Sequence, residues 1–312
     1  MGASGAERKL GTRLPEFSTQ LRTSAGHFAR SALQALPTGG DEVFALHAGT
    51  AVEHLAKALL ADKHPALIAA NDFESLLHAC GEEAVATGSV MRTINVTESI
   101  KRATRFVPRL SVLKDDLVIL AEARNGVAHL GHPADGSSLR VSFLKACELL
   151  REELRIERVE FWGDFGSLVD AALEESVKEA KVRVENAIAA ARINFRTRYG
   201  HLDRDAAATA LLAVEANYYP PETDEQVIPC PACDSRALVN GAVLGRWETD
   251  DPEQGADFYA TFIPGQLHCG ACELELNGED EIQAAGIEEE WEVDVDPDEL
   301  FNGWEPDWDF SR

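Results

Sequence analysis

Leu113-Lys-Asp-Asp-Leu-Val-Ile-Leu-Ala-Glu-Ala-Arg-Asn-Gly-Val-Ala-His129 sets Leu113, Leu117 and Leu120 on one stripe, the spacing of an amphipathic helix. Four residues further along that stripe stands Arg124. An apolar face is a costly place for an unpaired cation, so Arg124 requires a carboxylate, a phosphate or a second subunit. Asn125-Gly126 tolerates the left-handed backbone that ends helices, so this helix is expected to close near Arg124. Five residues of a regular helix turn through about 500°, leaving their ends about 140° apart. A stop at Asn125-Gly126 would therefore let His129 fold back toward Arg124, and a straight helix would not. Arginine is a permanent forked cation that grips phosphate, and histidine moves a proton near neutral pH. The alternative is structural: Arg124 neutralised by Glu53 or Asp116, with His129 an ordinary loop histidine.

Helical periodicity extends on both sides of this stretch. Helices are expected over about 16–36, 41–63, 72–80, 138–157, 166–199 and 203–216. Phe44, Ala48, Ala51, Leu55 and Ala58 line the second of these, and Leu139, Phe143, Ala146, Leu150 and Leu154 line the fourth. The 166–199 stretch repeats Val169, Leu173, Val177, Ala180, Val184, Ile188 and Ala191 at the same spacing. Tyr218-Tyr-Pro-Pro221 removes two backbone donors and fixes an extended link. Beyond it the pattern changes to short β-like runs at 237–239, 258–263 and 273–276. The fold class is thus mainly α: a helical domain over 1–160, a long helical connector over 161–218 and a small β-rich, acidic domain over 219–312.

That last domain carries Cys230-Pro-Ala-Cys233 and Cys269-Gly-Ala-Cys272. Zinc prefers tetrahedral thiolate sites, and each Cys-x-x-Cys turn delivers two sulfurs. Such pairs in an apparently cytosolic chain argue for metal over disulfides. The expected cofactor is one structural Zn2+ on Cys230, Cys233, Cys269 and Cys272, because four thiolates leave no open position for catalysis. Cys80 and Cys147 stand alone in helical patterns, where free cysteine behaves as a small hydrophobe.

Charge separates the two halves. Residues 1–160 hold 19 Lys+Arg against 20 Asp+Glu, whereas residues 161–312 hold 10 against 34. The second half would be repelled by nucleic acid, so its expected partner is a protein, or its acidity serves solubility. Trp291, Trp304 and Trp308 interrupt the acidic tail, and large exposed aromatics imply a docking site. In the first half, Lys101, Arg102, Arg105 and Arg109 just precede the Arg124 helix and could track an RNA backbone; a solvated helix face is the simpler reading of such a run. Glu53–Lys57 reads as an i,i+4 surface pair, His47 as a satisfied interface histidine and His132 as a spare proton carrier. No apolar run approaches the ~20 residues of a membrane span and the first residues lack a signal-peptide core, so a cytoplasmic protein is expected.

Arg124, Asn125 and His129 resemble the Arg-x4–6-His motif of HEPN ribonucleases. The helix at 43–62, with Ala51-Val-Glu-His-Leu-Ala-Lys-Ala-Leu-Leu60, is similar to that family's earlier helix, including its Glu and Lys. The resemblance covers about residues 16–160, half the chain. It implies a homodimer whose two Arg–His pairs face one cleft and cut RNA without metal, with the substrate's 2′-hydroxyl as nucleophile. In that scheme His129 is the general acid or base, Arg124 holds the scissile phosphate, and Asn125 orients one of them. A toxin or phage-defence role would follow from the same likeness. Two other readings are a non-catalytic dimerising scaffold and an acidic regulator that imitates nucleic acid and binds a basic partner.

Overall fold

A computed structural model of the chain describes residues 14–81, 91–130, 139–218, 221–248 and 257–301. It is mainly helical, with a small antiparallel sheet toward the C-terminus. The chain divides into two compact units, Met1–Leu173 and Glu174–Arg312. The stretch expected as a connector is shared between them: residues 161–173 belong to the first unit and the remainder to the second.

The first unit contains α1 (Leu14–Ala35), α2 (Asp41–Lys63), α3 (Phe73–Ala79), α4 (Val96–Ala103), α5 (Lys114–Leu130), α6 (Arg140–Glu153) and α7 (Arg158–Trp162). Its centre is α2, which packs against α1, α4, α5 and α6. Phe44, Ala45, Ala48, Ala51, Val52, Leu55, Ala56 and Leu59 are all buried, and with Glu53 and Lys57 also buried α2 is enclosed on every side, mostly by apolar contacts. A helix of that kind belongs in a core, and its alanines let neighbours approach closely. Phe143 meets both Phe44 and Trp162 edge-on, closing the core at the α6–α7 side.

Gly49 decides how α5 sits on α2. A Cβ there would stand 2.7 Å from Arg124 Cβ and 2.9 Å from its Cγ, so only glycine admits this contact. Here the expected helix stop fails: α5 runs without interruption through Asn125-Gly126 to Leu130. Arg124 packs against Gly49 just before that dipeptide and the helix runs on beyond it, so local propensity yields to the fold.

The second unit takes most of α8 (Gly166–Tyr199), then α9 (Arg204–Glu215), β1 (Glu225–Pro229), β2 (Arg236–Glu248), β3 (Asp257–Cys269), β4 (Leu274–Asn277), α10 (Glu279–Ala284), β5 (Trp291–Val293) and α11 (Pro297–Phe301). The sheet is antiparallel in the order β1-β2-β3-β4, with β5 also paired to β3. Phe262, Leu267, Leu274, Leu276 and three of the four paired cysteines are buried in one cluster with Val184, Ala191 and Tyr199 of α8. The 166–199 periodicity thus supplies a packing face for the sheet. No helix among the described residues is long and apolar enough to cross a membrane.

Candidate functional site

Glu53 and Lys57 lie one turn apart on α2, in line with Gly49 one turn earlier. They form a buried ion pair at 2.6 Å, only 7% and 6% exposed. The expectation of a surface pair is therefore wrong. An i,i+4 Glu–Lys spacing fixes the contact but not the burial, and here the surrounding alanines of α2 place it in the core. Lys57 Nζ also donates to Thr93 Oγ1 at 3.0 Å.

Arg124 completes the cluster from α5. Its Nη2 lies 2.9 Å from Glu53 Oε2, and its Nη1 donates to Asn125 Oδ1 at 2.9 Å. Glu53, rather than Asp116, answers the cation on the apolar stripe; Asp116 accepts from Ser142 instead. The Arg124 side chain keeps 26% of its surface exposed. A guanidinium braced from behind by a carboxylate and from the side by an amide has its remaining N–H groups aimed in fixed directions. His129 lies on the same continuous helix, about 140° around the axis from Arg124; its side chain lies outside the description. The expected fold-back of His129 toward Arg124 does not occur, because α5 has no break. His132 lies outside the described residues.

A histidine that sequence reasoning passed over stands beside this cluster. His54, next to Glu53 on α2, contacts Ser24 Oγ through Nδ1 at 3.0 Å and meets Phe28 edge-on. Burial holds its pKa below the ordinary imidazole value; the charge on Glu53 opposes the shift, and those on Lys57 and Arg124 add to it. His47 also packs on Phe28, and burial plus His27 lowers it in the same direction. Its ring is hydrogen-bonded to the Ser31 backbone, while Nδ1 finds no partner among the described residues, so the expected satisfied histidine is satisfied at one ring nitrogen. The fold thus favours neutral imidazoles, whereas the unfolded chain takes up protons near pH 6.5. The stabilisation is complete above that pH and declines as pH falls below it. Urea midpoints measured from pH 7.5 to 5.5 are expected to drop in the wild type and to drop less in His54→Gln; parallel curves would refute the assignment.

The basic run is less uniform than its sequence suggests. Arg102 is committed to Glu98 at 2.7 Å and to the Leu67 carbonyl at 2.8 Å, which removes it as a free phosphate ligand. Lys101 and Arg105 are exposed and Arg109 is half-buried; Arg105 and Arg109 each make a further contact within the chain.

The four-cysteine centre is built as the spacing predicts. The sulfurs of Cys230, Cys233, Cys269 and Cys272 all lie within 4.8 Å of one another. Cys230–Cys272 and Cys233–Cys269 are 3.6 and 3.7 Å apart. Metal–sulfur bonds of about 2.3 Å in a tetrahedron put sulfurs roughly 3.8 Å apart, so the set fits a metal ion such as zinc. Each Cys-x-x-Cys turn closes in the same way: Asp234 N donates to the Cys230 carbonyl, and Glu273 N to the Cys269 carbonyl. The closing residues, Asp234 and Glu273, have φ of 60° and 62°. Hydrogen bonding from Cys230 and then Cys272 pulls the Cys269 thiol well below its ordinary pKa, while the contact with Cys269 pushes Cys230 up. Four sulfurs so close cannot all be thiolates unless a cation joins them.

Two residues support the second turn from outside. Tyr218 Oη accepts from Gly270 N at 2.6 Å, and Arg198 donates to the carbonyls of Gly270 and Ala271 at 3.0 and 3.3 Å. A Cβ at Gly270 would stand 2.9 Å from Tyr218 Oη, so glycine between these cysteines is a packing requirement. Tyr218 had read as part of a linker; only the fold brings it to the centre. Comparison with protein-family models, with curated proteins and with solved structures gives no match to this chain.

Proposed function

We propose that this chain is a metal-independent endoribonuclease of HEPN type, acting as a dimer in the manner of a toxin or phage-defence effector. The observation that supports this most is the Arg124 guanidinium, fixed by Glu53 and Asn125 yet still a quarter exposed. A permanent cation held rigid and accessible suits a scissile phosphate, whose charge grows in the transition state. His129, or His54 beside the cluster, removes the proton from the substrate's 2′-hydroxyl, whose oxygen attacks the adjacent phosphorus. The phosphorus–O5′ bond breaks, and the leaving oxygen takes a proton from the conjugate acid. On an unbroken α5, positions 124 and 129 lie about 140° apart around the axis, so in this reading Arg124 and His129 meet across two copies of the chain. The metal of the cysteine centre is Zn2+ in a structural role, distant from this chemistry in kind.

The Glu53–Arg124 ion pair also suits a second reading, a non-catalytic dimerising scaffold, because it neutralises the cation with no ligand at all. Purified protein incubated briefly with total RNA in magnesium-free buffer containing EDTA separates the two. Cleavage that Arg124→Ala and His129→Ala each reduce by about 10²-fold or more supports the nuclease. Absence of cleavage, or cleavage that survives Arg124→Ala, refutes it. Mixing the two variants is expected to restore part of the activity if the cleft is shared.

A further inference from the structure

At the far end of the β2–β3 hairpin, Trp247 is 58% exposed. It lies opposite Phe258 in the register, with ring centroids 5.2 Å apart. Alternation along β2 puts Gly245 on the same face, and a Cβ there would stand 2.6 Å from Leu300 Cδ2. Thus α11 covers this face at Gly245, whereas the next residue on that face, Trp247, is open. Among the described residues the indole packs on Phe258 and leaves more than half of its surface open, so the two rings together offer an aromatic face to a flat partner.

The surroundings say which kind. Asp298 and Glu299 on α11 are exposed beside this face, whereas Glu248 and Asp257, the next register pair, lie by alternation on the opposite face. Residues 257–301 contain 14 Asp+Glu and no Lys or Arg. Arg246, which alternation sets on the opposite face, pairs with Glu248 at 2.8 Å. A second copy of this chain or a nucleic acid would bring more negative charge to the surface. A cation that is also flat would gain from both features, since guanidinium stacks on indole better than a hydrated ammonium does.

We infer that the Trp247 end of this hairpin is a docking surface for an arginine-rich segment of a partner protein, with a guanidinium stacked on the indole and the acidic α11 beside it. The inference does not depend on the ribonuclease reading. It is tested with the full-length chain, fluorescein-labelled nona-arginine and nona-lysine, and anisotropy at near-physiological salt. Nona-arginine is expected to bind at least fivefold more tightly than nona-lysine. Trp247→Ala is expected to weaken nona-arginine about fivefold with little effect on nona-lysine, and Trp247→Phe to retain most of the affinity. Unchanged circular dichroism and metal content would show each variant folded. Equal affinity for the two peptides, or indifference to Trp247→Ala, would reduce the effect to diffuse charge attraction and overturn the proposal. Binding that appears only after deletion of residues 302–312 would also overturn it, because the chain's own tail would then be the occupant.

Discussion

Cys269→Ser is expected to release the metal from the cysteine centre and unfold the sheet of the second unit, while the helices of the first unit persist. Cys269 is fully buried with Phe262, Leu267 and Leu274, so a metal held by the four cysteines would share one site with the apolar core. Structural zinc on thiolates contributes about 10–16 kcal/mol in small domains, comparable with or larger than the whole stability of an ordinary domain, about 5–15 kcal/mol. Loss of one sulfur weakens the hold on the ion, and Cys230 and Cys272, 3.6 Å apart, cannot both stay charged without it. Elemental analysis is expected to fall from about one metal ion per chain to near zero. Trp291, tilted against Phe262 with ring centroids 4.9 Å apart, is expected to shift its emission toward the red, while far-ultraviolet circular dichroism keeps most of its helical signal. Wild-type metal content in the variant, or an unaltered spectrum, would contradict a structural metal at these residues.

What could be read in the chain before its structure follows from how local each signal is. The 41–63 and 166–199 helices emerge at the expected limits, because long periodic stretches need no distant partner to be recognised. The cysteine centre was legible for a chemical reason: two Cys-x-x-Cys turns bring four soft ligands whose joint purpose is narrow. Asn125-Gly126 misled because its preference for ending a helix is weak and the fold overrides it, α5 running on to Leu130. The length of β2 and β3 was equally hidden. Gly241 and Gly245 break the strand pattern, yet a Cβ at Gly241 would strike Phe262, and one at Gly245 would strike Phe258, so both glycines serve packing across the hairpin. Arg124 itself was identified, together with Glu53 as one of its two candidate partners. The burial of the Glu53–Lys57 pair and the approach of His54 were not, since both arise from how α1, α2 and α5 meet.

Glu53→Ala is expected to cost about 3–5 kcal/mol, the range for removing one partner of a buried ion pair. The loss should not divide evenly between the two cations that Glu53 serves. Lys57 is 6% exposed and, among the described residues, retains Thr93 Oγ1 as its partner, so its ammonium would be left in the core around α2 without a counter-charge. Arg124 is a quarter exposed and keeps Asn125, so its guanidinium can turn toward water. Glu53→Ala combined with Lys57→Met is therefore expected to recover more than half of the loss, because an apolar side chain of similar length then fills the site. Glu53→Ala combined with Arg124→Ala is expected to recover little, and it leaves a void against Gly49 besides. Urea unfolding of the three variants measures the difference. A single-variant cost below about 1 kcal/mol, the scale of a surface pair, would mean that the cluster is solvated in the working protein. If the ribonuclease reading holds, the Glu53→Ala/Lys57→Met chain should fold well yet cut RNA poorly, because Arg124 has lost the carboxylate that aims it. Stability and activity would then part company at one residue, which a purely structural ion pair would not produce.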